Sequence, residues 1–248
     1  MEKIITKDNT ITFFSEQYQE WYHSKSGAVE EAIEKYAKPC EIAEKAKQKR
    51  IVLLDICFGL GYNTAAAINI AMQVNPEIEI TVYALENDLE ILKKIQEIDV
   101  IFSSYPILKS IVKEFLESIS QNDKKEMKKK EKNKNEKRKE VIIKKQNMII
   151  HFLFGDARET IKEVSEKVDA VFLDPFSPKV CPELWTKEFF EDIRKTMKND
   201  AILATYSCAR VVRDNLKASG FQVRDGPCIG RRAPSTITRI YQEHENEL

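Results

Sequence analysis

The stretch RIVLLDICFGLGYN, residues 50–63, decides the fold class, because it joins a buried strand, a glycine turn and the start of a helix. The nearly continuous apolar run RIVLLDICF predicts a strand that is buried on both faces of a parallel sheet. Gly59 and Gly61 allow a tight turn with positive φ, and the Ala-rich segment after them predicts a helix. The N-terminus of that helix could bind an anionic group of a ligand.

Further along the chain, apolar runs alternate with amphipathic segments. This alternation predicts an α/β fold with a doubly wound, mostly parallel, Rossmann-like sheet. We assign residues 49–248 to this main domain. Residues 1–48 form a front section that we expect to pack on it, with a β-hairpin in MEKIITKDNTITFF and then two helices separated by a break at Gly27.

Composition excludes several classes of protein. No apolar run has the length of a membrane span, and the first residues lack the apolar core of a signal peptide, so we expect a cytoplasmic protein without a membrane partner. The five cysteines lack CxxC spacing and the three histidines are scattered, which predicts no metal site. The sequence gives no indication of the oligomeric state.

Residues 121–145 form a Lys-rich insertion with twelve basic and five acidic side chains. One interpretation is a solvated insertion without a packed core. The other is an electrostatic arm that binds RNA. The sequence alone leaves both interpretations open.

Carboxylates follow the ends of four predicted strands, at Asp55, Glu86, Asp156 and Asp174. Ligands of open α/β sheets bind outside the carboxyl ends of the strands. Glu86 is placed to bind a ribose diol, and Asp156 the amino group of an adenine. Converging acids favour a cationic ligand, which indicates S-adenosyl-L-methionine (SAM) rather than an anionic dinucleotide. The third glycine of a dinucleotide motif is also missing, because Thr64 occupies that position.

The segment VFLDPFSPKVCPELW, residues 171–185, ends a strand in Asp174 and continues with three prolines. Proline stiffens the backbone, which suits a residue that must hold a reacting group in place. We expect Asp174 to accept an N–H from an amine nucleophile and to stabilise the positive charge that develops during methyl transfer. Phe176 and Trp185 could stack on a planar nucleobase.

These segments resemble the methyltransferase domain of the MnmC family of tRNA-modifying enzymes. The resemblance covers most of the chain, from DNTITFFSEQYQEWYHSKSGAVEEA through DICFGLGYN and DPFSPKVCPELWT to ILATYSCARVVRDNLKASGFQV and GRRAPST. It implies a class I SAM-dependent methyltransferase with a seven-stranded sheet and a small N-terminal hairpin and helical extension. The implied reaction converts 5-aminomethyl(-2-thio)uridine to 5-methylaminomethyl(-2-thio)uridine at the tRNA wobble position.

The resemblance also assigns roles to residues. Asp174 is the expected catalytic carboxylate. The predicted cofactor-binding residues are Asp55, Phe58, Gly59, Gly61, Asn63, Glu86, Asp156 and Asp174. The predicted substrate-binding residues are Tyr22, Phe176, Trp185, Arg231 and Arg232. No pattern of an FAD-dependent oxidase is present in the sequence, so we expect a stand-alone methyltransferase and a separate enzyme that supplies the aminomethyl group.

Three alternatives remain open from the sequence. The chain could methylate another amine. It could be an aminopropyltransferase of the spermidine-synthase type, although CFGLGYN is a poor match to the GGGDG loop of those enzymes. It could also be a non-catalytic RNA-binding module that uses the Lys-rich insertion, against which the full set of strand-end acids argues.

Overall fold

A computed structural model describes residues 1–128, 139–230 and 232–241. It contains a small N-terminal sheet and a large central sheet flanked by helices. The strands are β1 Lys3–Ile5, β2 Ile11–Ser15, β3 Glu20–Trp21, β4 Arg50–Ile56, β5 Glu79–Glu86, β6 Lys139–Lys145, β7 Met148–Phe154, β8 Val168–Leu173, β9 Met197–Thr205, β10 Phe221–Asp225 and β11 Thr236–Ile240. The α-helices are α1 Ala28–Glu31, α2 Ile42–Lys45, α3 Tyr62–Val74, α4 Leu89–Lys94, α5 Tyr105–Lys128, α6 Ala157–Thr160, α7 Lys187–Thr196 and α8 Arg210–Ala218.

The central sheet has the strand order β10-β11-β9-β8-β4-β5-β7-β6. The five inner strands β9, β8, β4, β5 and β7 are parallel, and β11, β10 and β6 pair antiparallel at the two edges. The parallel strands therefore end at one rim of the sheet, and the chain order reverses between β4 and β8. Ligands of this fold bind at such a reversal point.

Strand β4 shows why the sheet is covered on both faces. Leu53 points into the core layer that includes α3 and α5, whereas Val52 and Leu54 point into the layer that includes α7 and α8. Side chains alternate between the two faces of a strand, so both faces of β4 must be apolar. The expectation of a strand buried on both faces is confirmed. Ala65, on α3, is also fully buried and lets that helix pack closely on the sheet.

The front section forms a three-stranded antiparallel sheet in the order β1-β2-β3, followed by α1 and a π-helix over Ala32–Ala37. The predicted hairpin is confirmed by the pairing of Lys3 with Phe13 and of Ile5 with Ile11. The helix expected before Gly27 is wrong, because this segment forms turns and the short strand β3. Its residues Tyr18 and Tyr22 pack against Phe176 of the central domain.

The central sheet has eight strands, one more than the expected seven. The additional strand is β6, which lies at the edge of the sheet and pairs antiparallel with β7. The interpretation of residues 121–145 as a solvated insertion without a packed core is wrong for residues 139–145, because Ile143 is buried in the core while Ile142 is half exposed, as an edge strand requires. Helix α5 extends into the other end of the insertion. Residues 129–138, with six of the twelve basic residues of the Lys-rich insertion, lie outside the described residues.

Within the described ranges, no helix combines the length and the apolar character needed to cross a membrane.

Candidate active site

The loop after β4 adopts an unusual backbone that brings it close to the rim. Cys57, Gly59 and Gly61 have φ values of 65°, 55° and 72°, all in the left-handed region. At Gly61, which starts α3, an added Cβ would lie 2.8 Å from a ring carbon of Phe58. A side chain is therefore excluded there by both strain and contact. At Gly59, which lines the main cavity, an added Cβ would make only ordinary contacts, at 3.6 Å with a ring carbon of Tyr22 and at 3.7 Å with the Cys57 carbonyl oxygen.

Glu86 ends β5 and fixes this loop. One carboxylate oxygen accepts a 2.7 Å hydrogen bond from the Gly59 N–H, and the other accepts from the N–H groups of Asn87 and Asp88. The side chain is buried, and burial raises its pKa while the backbone donors oppose that rise. Glu86 therefore joins the ends of β4 and β5 and presents its carboxylate to the cavity beside them.

Asp174 follows β8 on the other side of β4. Its Oδ1 accepts a 2.5 Å hydrogen bond from the Tyr36 hydroxyl, and its Oδ2 accepts a 2.9 Å bond from the Asn63 amide. Burial raises the pKa of Asp174 to about 7, although both hydrogen bonds favour the ionised form. The side chain is thus held from two sides, by the front section and by the start of α3, and it faces the main cavity.

The main cavity has a volume of about 530 Å³ and lies between the front section and the rim of the central sheet. This volume falls within the usual range for small-molecule sites. Acidic side chains outnumber basic ones along its wall. The acids are Glu20, Glu31, Glu86, Asp88 and Asp174, and the bases are Lys25 and Lys35. The cavity therefore favours cationic ligands.

A smaller cavity of about 50 Å³ extends the site toward β7. Tyr18, Cys57 and Glu86 line both cavities, and Asp156 lines the smaller one. The Asp156 carboxylate caps α6 and pairs with the Arg158 guanidinium at 2.5 Å, which lowers the pKa of Asp156 below its ordinary value. An adenine amino group at this end would share the carboxylate with Arg158.

Not all of the strand-end acids reach the cavities. Asp55 is fully buried beneath the loop, and its Oδ2 accepts a 2.6 Å hydrogen bond from the Thr64 hydroxyl. Its Oδ1 has no hydrogen-bond partner among the described residues, and burial raises its pKa to about 8. Neither described cavity touches Asp55, so its contact is to α3 through Thr64.

The aromatic residues divide into a site group and a core group. Phe176 lines the main cavity. Its ring stacks on Tyr18, with 4.4 Å between the ring centroids, and makes an edge-to-face contact with Tyr22, with 4.9 Å between the centroids. The expectation that Trp185 stacks on the substrate is wrong. Trp185 is only 2% exposed, packs against Phe190, and donates its indole N–H to the backbone oxygen of Phe176. It supports the Asp174 segment from behind.

The other residues predicted to bind the cofactor or the substrate do not all lie at the cavity wall. Phe58, Gly59 and Tyr22 line the main cavity, and Tyr22 also donates a 2.7 Å hydrogen bond to Asp88. Arg232 is exposed, two residues beyond Gly230 at the cavity wall. Arg231 lies outside the described residues.

The sequence analysis missed the cavity residues that the front section supplies. Glu31, Lys35 and Tyr36 line the cavity from α1 and the π-helix, and no motif spacing marks them. Of the three, only Glu31 lies inside the segment DNTITFFSEQYQEWYHSKSGAVEEA that resembles the family, because this segment ends at Ala32.

The comparisons with known proteins agree with this geometry. A family model described as S-adenosyl-L-methionine-dependent methyltransferase matches residues 110–239, more than half of the chain. The crystal structure of MnmC2 from Aquifex aeolicus has a TM-score of 0.76 and 31% identity, and the match covers 99% of this chain and 73% of that chain. The chain belongs to the MnmC-type family of SAM-dependent methyltransferases.

Two curated relatives of this MnmC-type chain extend over most of its length. An uncharacterized protein of Methanocaldococcus jannaschii is 32% identical over 233 residues, which are 94% of this chain and 57% of that protein. The tRNA 5-methylaminomethyl-2-thiouridine biosynthesis bifunctional protein MnmC of Leptospira interrogans is 27% identical over 246 residues. The match covers 94% of this chain and 34% of that protein. The chain thus spans between a third and somewhat more than half of these relatives.

Family membership confirms the expected Rossmann-like class I fold, the enzyme class and SAM as the cofactor. The site fits this group. Its acidic wall suits a positively charged sulfonium, and Gly59, which has no side chain, lets a ligand in the cavity approach the backbone. The assignments of Glu86 to the ribose, Asp156 to the adenine and Asp174 to catalysis remain predictions.

Proposed function

We propose that this methyltransferase transfers the methyl group of SAM to the amine of 5-aminomethyl(-2-thio)uridine at the wobble position of tRNA. Two observations support the proposal. Bifunctional MnmC proteins named for tRNA 5-methylaminomethyl-2-thiouridine biosynthesis match nearly the whole chain. The main cavity also presents Asp174 to any ligand that enters beside the loop after β4. This second observation carries the chemical part of the proposal.

SAM supplies a methyl group on a positively charged sulfur, and the protein must supply an oriented nucleophile. An alkylamine has an ordinary pKa of about 10, so most of it is protonated at neutral pH. Asp174 accepts an N–H of the amine and aims the nitrogen lone pair. Tyr36 and Asn63 fix the carboxylate, because each donates to a different oxygen. The carboxylate also stabilises the positive charge that grows on nitrogen.

The proposed tRNA substrate has consequences for the location of the reaction, for the enzyme that must precede it and for the residues that would contact the tRNA. A tRNA substrate places the reaction in the cytoplasm, and an aminomethyl group must be supplied by another catalytic centre. Phe176 and Tyr22 belong to the aromatic part of the cavity wall, and the modified base would pack on them. Arg232 would lie near the phosphate backbone at the mouth. The Lys-rich insertion, residues 121–145, stays a candidate RNA-binding arm.

The test of function uses tRNA that carries 5-aminomethyl-2-thiouridine, with nucleosides identified by mass spectrometry. The wild-type protein is expected to convert this nucleoside to the methylamino form with SAM, and to give no product with decarboxylated SAM. Aminopropylation with decarboxylated SAM would identify a spermidine-synthase-type enzyme. No conversion of the tRNA, with methylation of a small amine instead, would refute the tRNA substrate.

Asp174→Asn tests the assigned role. The variant keeps the shape of the side chain but loses its charge, so we expect turnover to fall by about 10²–10⁴-fold while SAM still binds. Asp200→Asn is a control, because Asp200 is an exposed acid on β9. Unchanged turnover in Asp174→Asn would contradict the role of the carboxylate.

A further inference from the structure

The π-helix over Ala32–Ala37 places an unusual set of side chains on the cavity wall. The Lys38 N–H bonds to the Ile33 carbonyl, five residues back, as a π-helix requires. The wider turn directs positions 31, 35 and 36 to the same side, and Glu31, Lys35 and Tyr36 all line the main cavity. Single π-helical turns are rare and often occur at functional sites. Only Tyr36 has a role so far, as the donor to Asp174.

Glu31 and Lys35 form an ion pair on this wall, and their side chains are only 12% and 4% exposed. A buried ion pair contributes little to stability, because desolvation offsets the attraction of the two charges. The second oxygen of Glu31 accepts a 3.2 Å hydrogen bond from the backbone N–H of Ser24, which is exposed. Glu31 therefore connects the inner part of the cavity with the solvent at its mouth.

Asp174 lacks a comparable connection. Its two recorded side-chain partners, Tyr36 and Asn63, both act as donors to it. Burial raises the pKa of the Tyr36 hydroxyl well above its ordinary value, so this group keeps its own proton and has no deprotonated form that could accept one from Asp174. A substrate that fills the cavity covers Asp174. A proton transferred to Asp174 would then have no acceptor along either of these bonds.

We propose that Glu31 is the catalytic base of the amine site. It accepts the proton of the substrate ammonium and returns it to solvent beside Ser24, while Asp174 orients the nitrogen. This inference rests on the proposed function, because it requires an amine substrate. The strand-end pattern predicts one catalytic carboxylate, Asp174. The inference adds Glu31 as a second carboxylate, which removes the proton while Asp174 orients the amine.

The step balances as follows. The R–CH₂–NH₃⁺ group gives one proton to the Glu31 carboxylate, and the freed lone pair forms the new C–N bond. The S–CH₃ bond breaks with its electron pair on sulfur, so the donor becomes a neutral thioether and the product is R–CH₂–NH₂⁺–CH₃. Glu31 then loses its proton to water. One proton is released in each turnover.

Other titratable groups around Glu31 do not replace it. His23 lies nearby, but burial lowers its pKa to about 4, so it stays neutral near pH 7. Lys35 is already bonded to Glu31 and opposes the effect of Glu31 on the Asp174 pKa. The charged and titratable groups that face this region are His23 and Lys25 from the front section, Lys35 and Tyr36 from the π-helix, Asp174 after β8 and Tyr206 after β9.

Glu31→Gln is the decisive variant, and Glu30→Gln is its matched control. Glu30 is the preceding residue on the same helix, but it is exposed to solvent. With tRNA carrying 5-aminomethyl-2-thiouridine, kcat of Glu31→Gln at pH 7 is expected to fall about 100-fold. The deficit should shrink steadily toward pH 9.5, because a growing share of the substrate amine, about a quarter at pH 9.5 for a pKa of about 10, then arrives without its extra proton. Glu30→Gln should follow the wild type at every pH.

A purely structural role for Glu31 would give a different result, namely a deficit that is the same at all pH values. That outcome, or wild-type kcat at pH 7, would overturn the inference. Calorimetric binding of S-adenosylhomocysteine should change less than about twofold in Glu31→Gln, which shows that the donor site is intact. If Glu31→Gln does not fold, Glu31→Asp provides the test, because it keeps a carboxylate and should retain the shape of the wild-type pH profile.

The same assay separates the two proposals. Wild-type protein that leaves the aminomethyl tRNA unmodified refutes the proposed function. Wild-type protein that methylates it, together with an unaffected Glu31→Gln variant, refutes only the role of Glu31.

Discussion

Replacing Asp55 by asparagine should change how the stability of the protein depends on pH. Asp55 is fully buried, and its pKa lies at about 8 instead of the ordinary 3.8. The folded protein therefore holds this proton more tightly than the unfolded chain does. The resulting stabilisation is complete below about pH 4 and is lost as the pH rises toward 8.

The interval from 3.8 to about 8 sets the size of the effect. At about 1.36 kcal/mol per pH unit, folding loses about 5 kcal/mol across this range. Asparagine has no such proton and removes the loss. Its amide keeps an oxygen for the Thr64 hydroxyl but adds N–H groups where Oδ1 has no partner among the described residues, which costs about 1–3 kcal/mol.

These two contributions have opposite signs, so the stability curves should cross. Asp55→Asn is expected to be less stable than the wild type at pH 4 by about 1–3 kcal/mol. At pH 8 it should be more stable by about 2–4 kcal/mol. Urea unfolding at half-unit intervals from pH 4 to 8 measures both curves. Because most carboxylates titrate equally in the two proteins, the difference between the curves isolates this group.

Asp99→Asn is the control, because the Asp99 side chain is fully exposed and folding changes its surroundings little. Its curve should run parallel to the wild type. If Asp55→Asn also runs parallel to the wild type, with no crossing, then Asp55 is ionised in the folded protein. The argument that burial dominates at this position would then be refuted.

Three further results are expected. Gly61→Ala should lower the free energy of unfolding in urea by about 2–4 kcal/mol, because the new Cβ clashes with Phe58 and the backbone is left-handed. Gly59→Ala, which has the left-handed backbone but no clash, should lower it by only about 1 kcal/mol. Equal losses would contradict the geometry of the loop. Glu86→Gln places an amide against three backbone N–H groups, so calorimetry should show SAM affinity lowered at least about tenfold, and an unchanged affinity would rule out a cofactor role. Tyr36→Phe removes a donor that lowers the pKa of Asp174, so the acidic limb of the pH–rate profile should move to higher pH rather than stay in place.

The parts of the fold that follow from local pattern were predictable. The apolar run of β4 and the glycines after it determine the first strand, turn and helix. Glu86 and Asp174 were correctly placed at the rim, because parallel strands end together. Strand β6 was missed because only one face of an edge strand is buried, and its lysines resemble those of the insertion before it.

Contacts between distant parts of the chain were not predictable. Trp185 follows the Asp174 segment closely, but only the packing of Phe190 and Tyr206 around it shows that it belongs to the core. Nothing in the spacing of the front section indicates that Tyr36 reaches Asp174. Helical periodicity misled the reading of the segment with Tyr18 and Tyr22, because aromatic residues that cover a cavity can imitate the apolar face of a helix.

The hydrogen bond between Tyr36 and Asp174 spans 138 positions of the chain. During translation, the front section is complete long before the ribosome has added Asp174, and a polypeptide grows at about 5–20 residues per second. For several seconds, therefore, Lys35 and Tyr36 have already been synthesised while Asp174, on the opposite wall of the cavity, has not. The wall that Asp174 contributes to the cavity can form only after β8 has been made and pairs with β4.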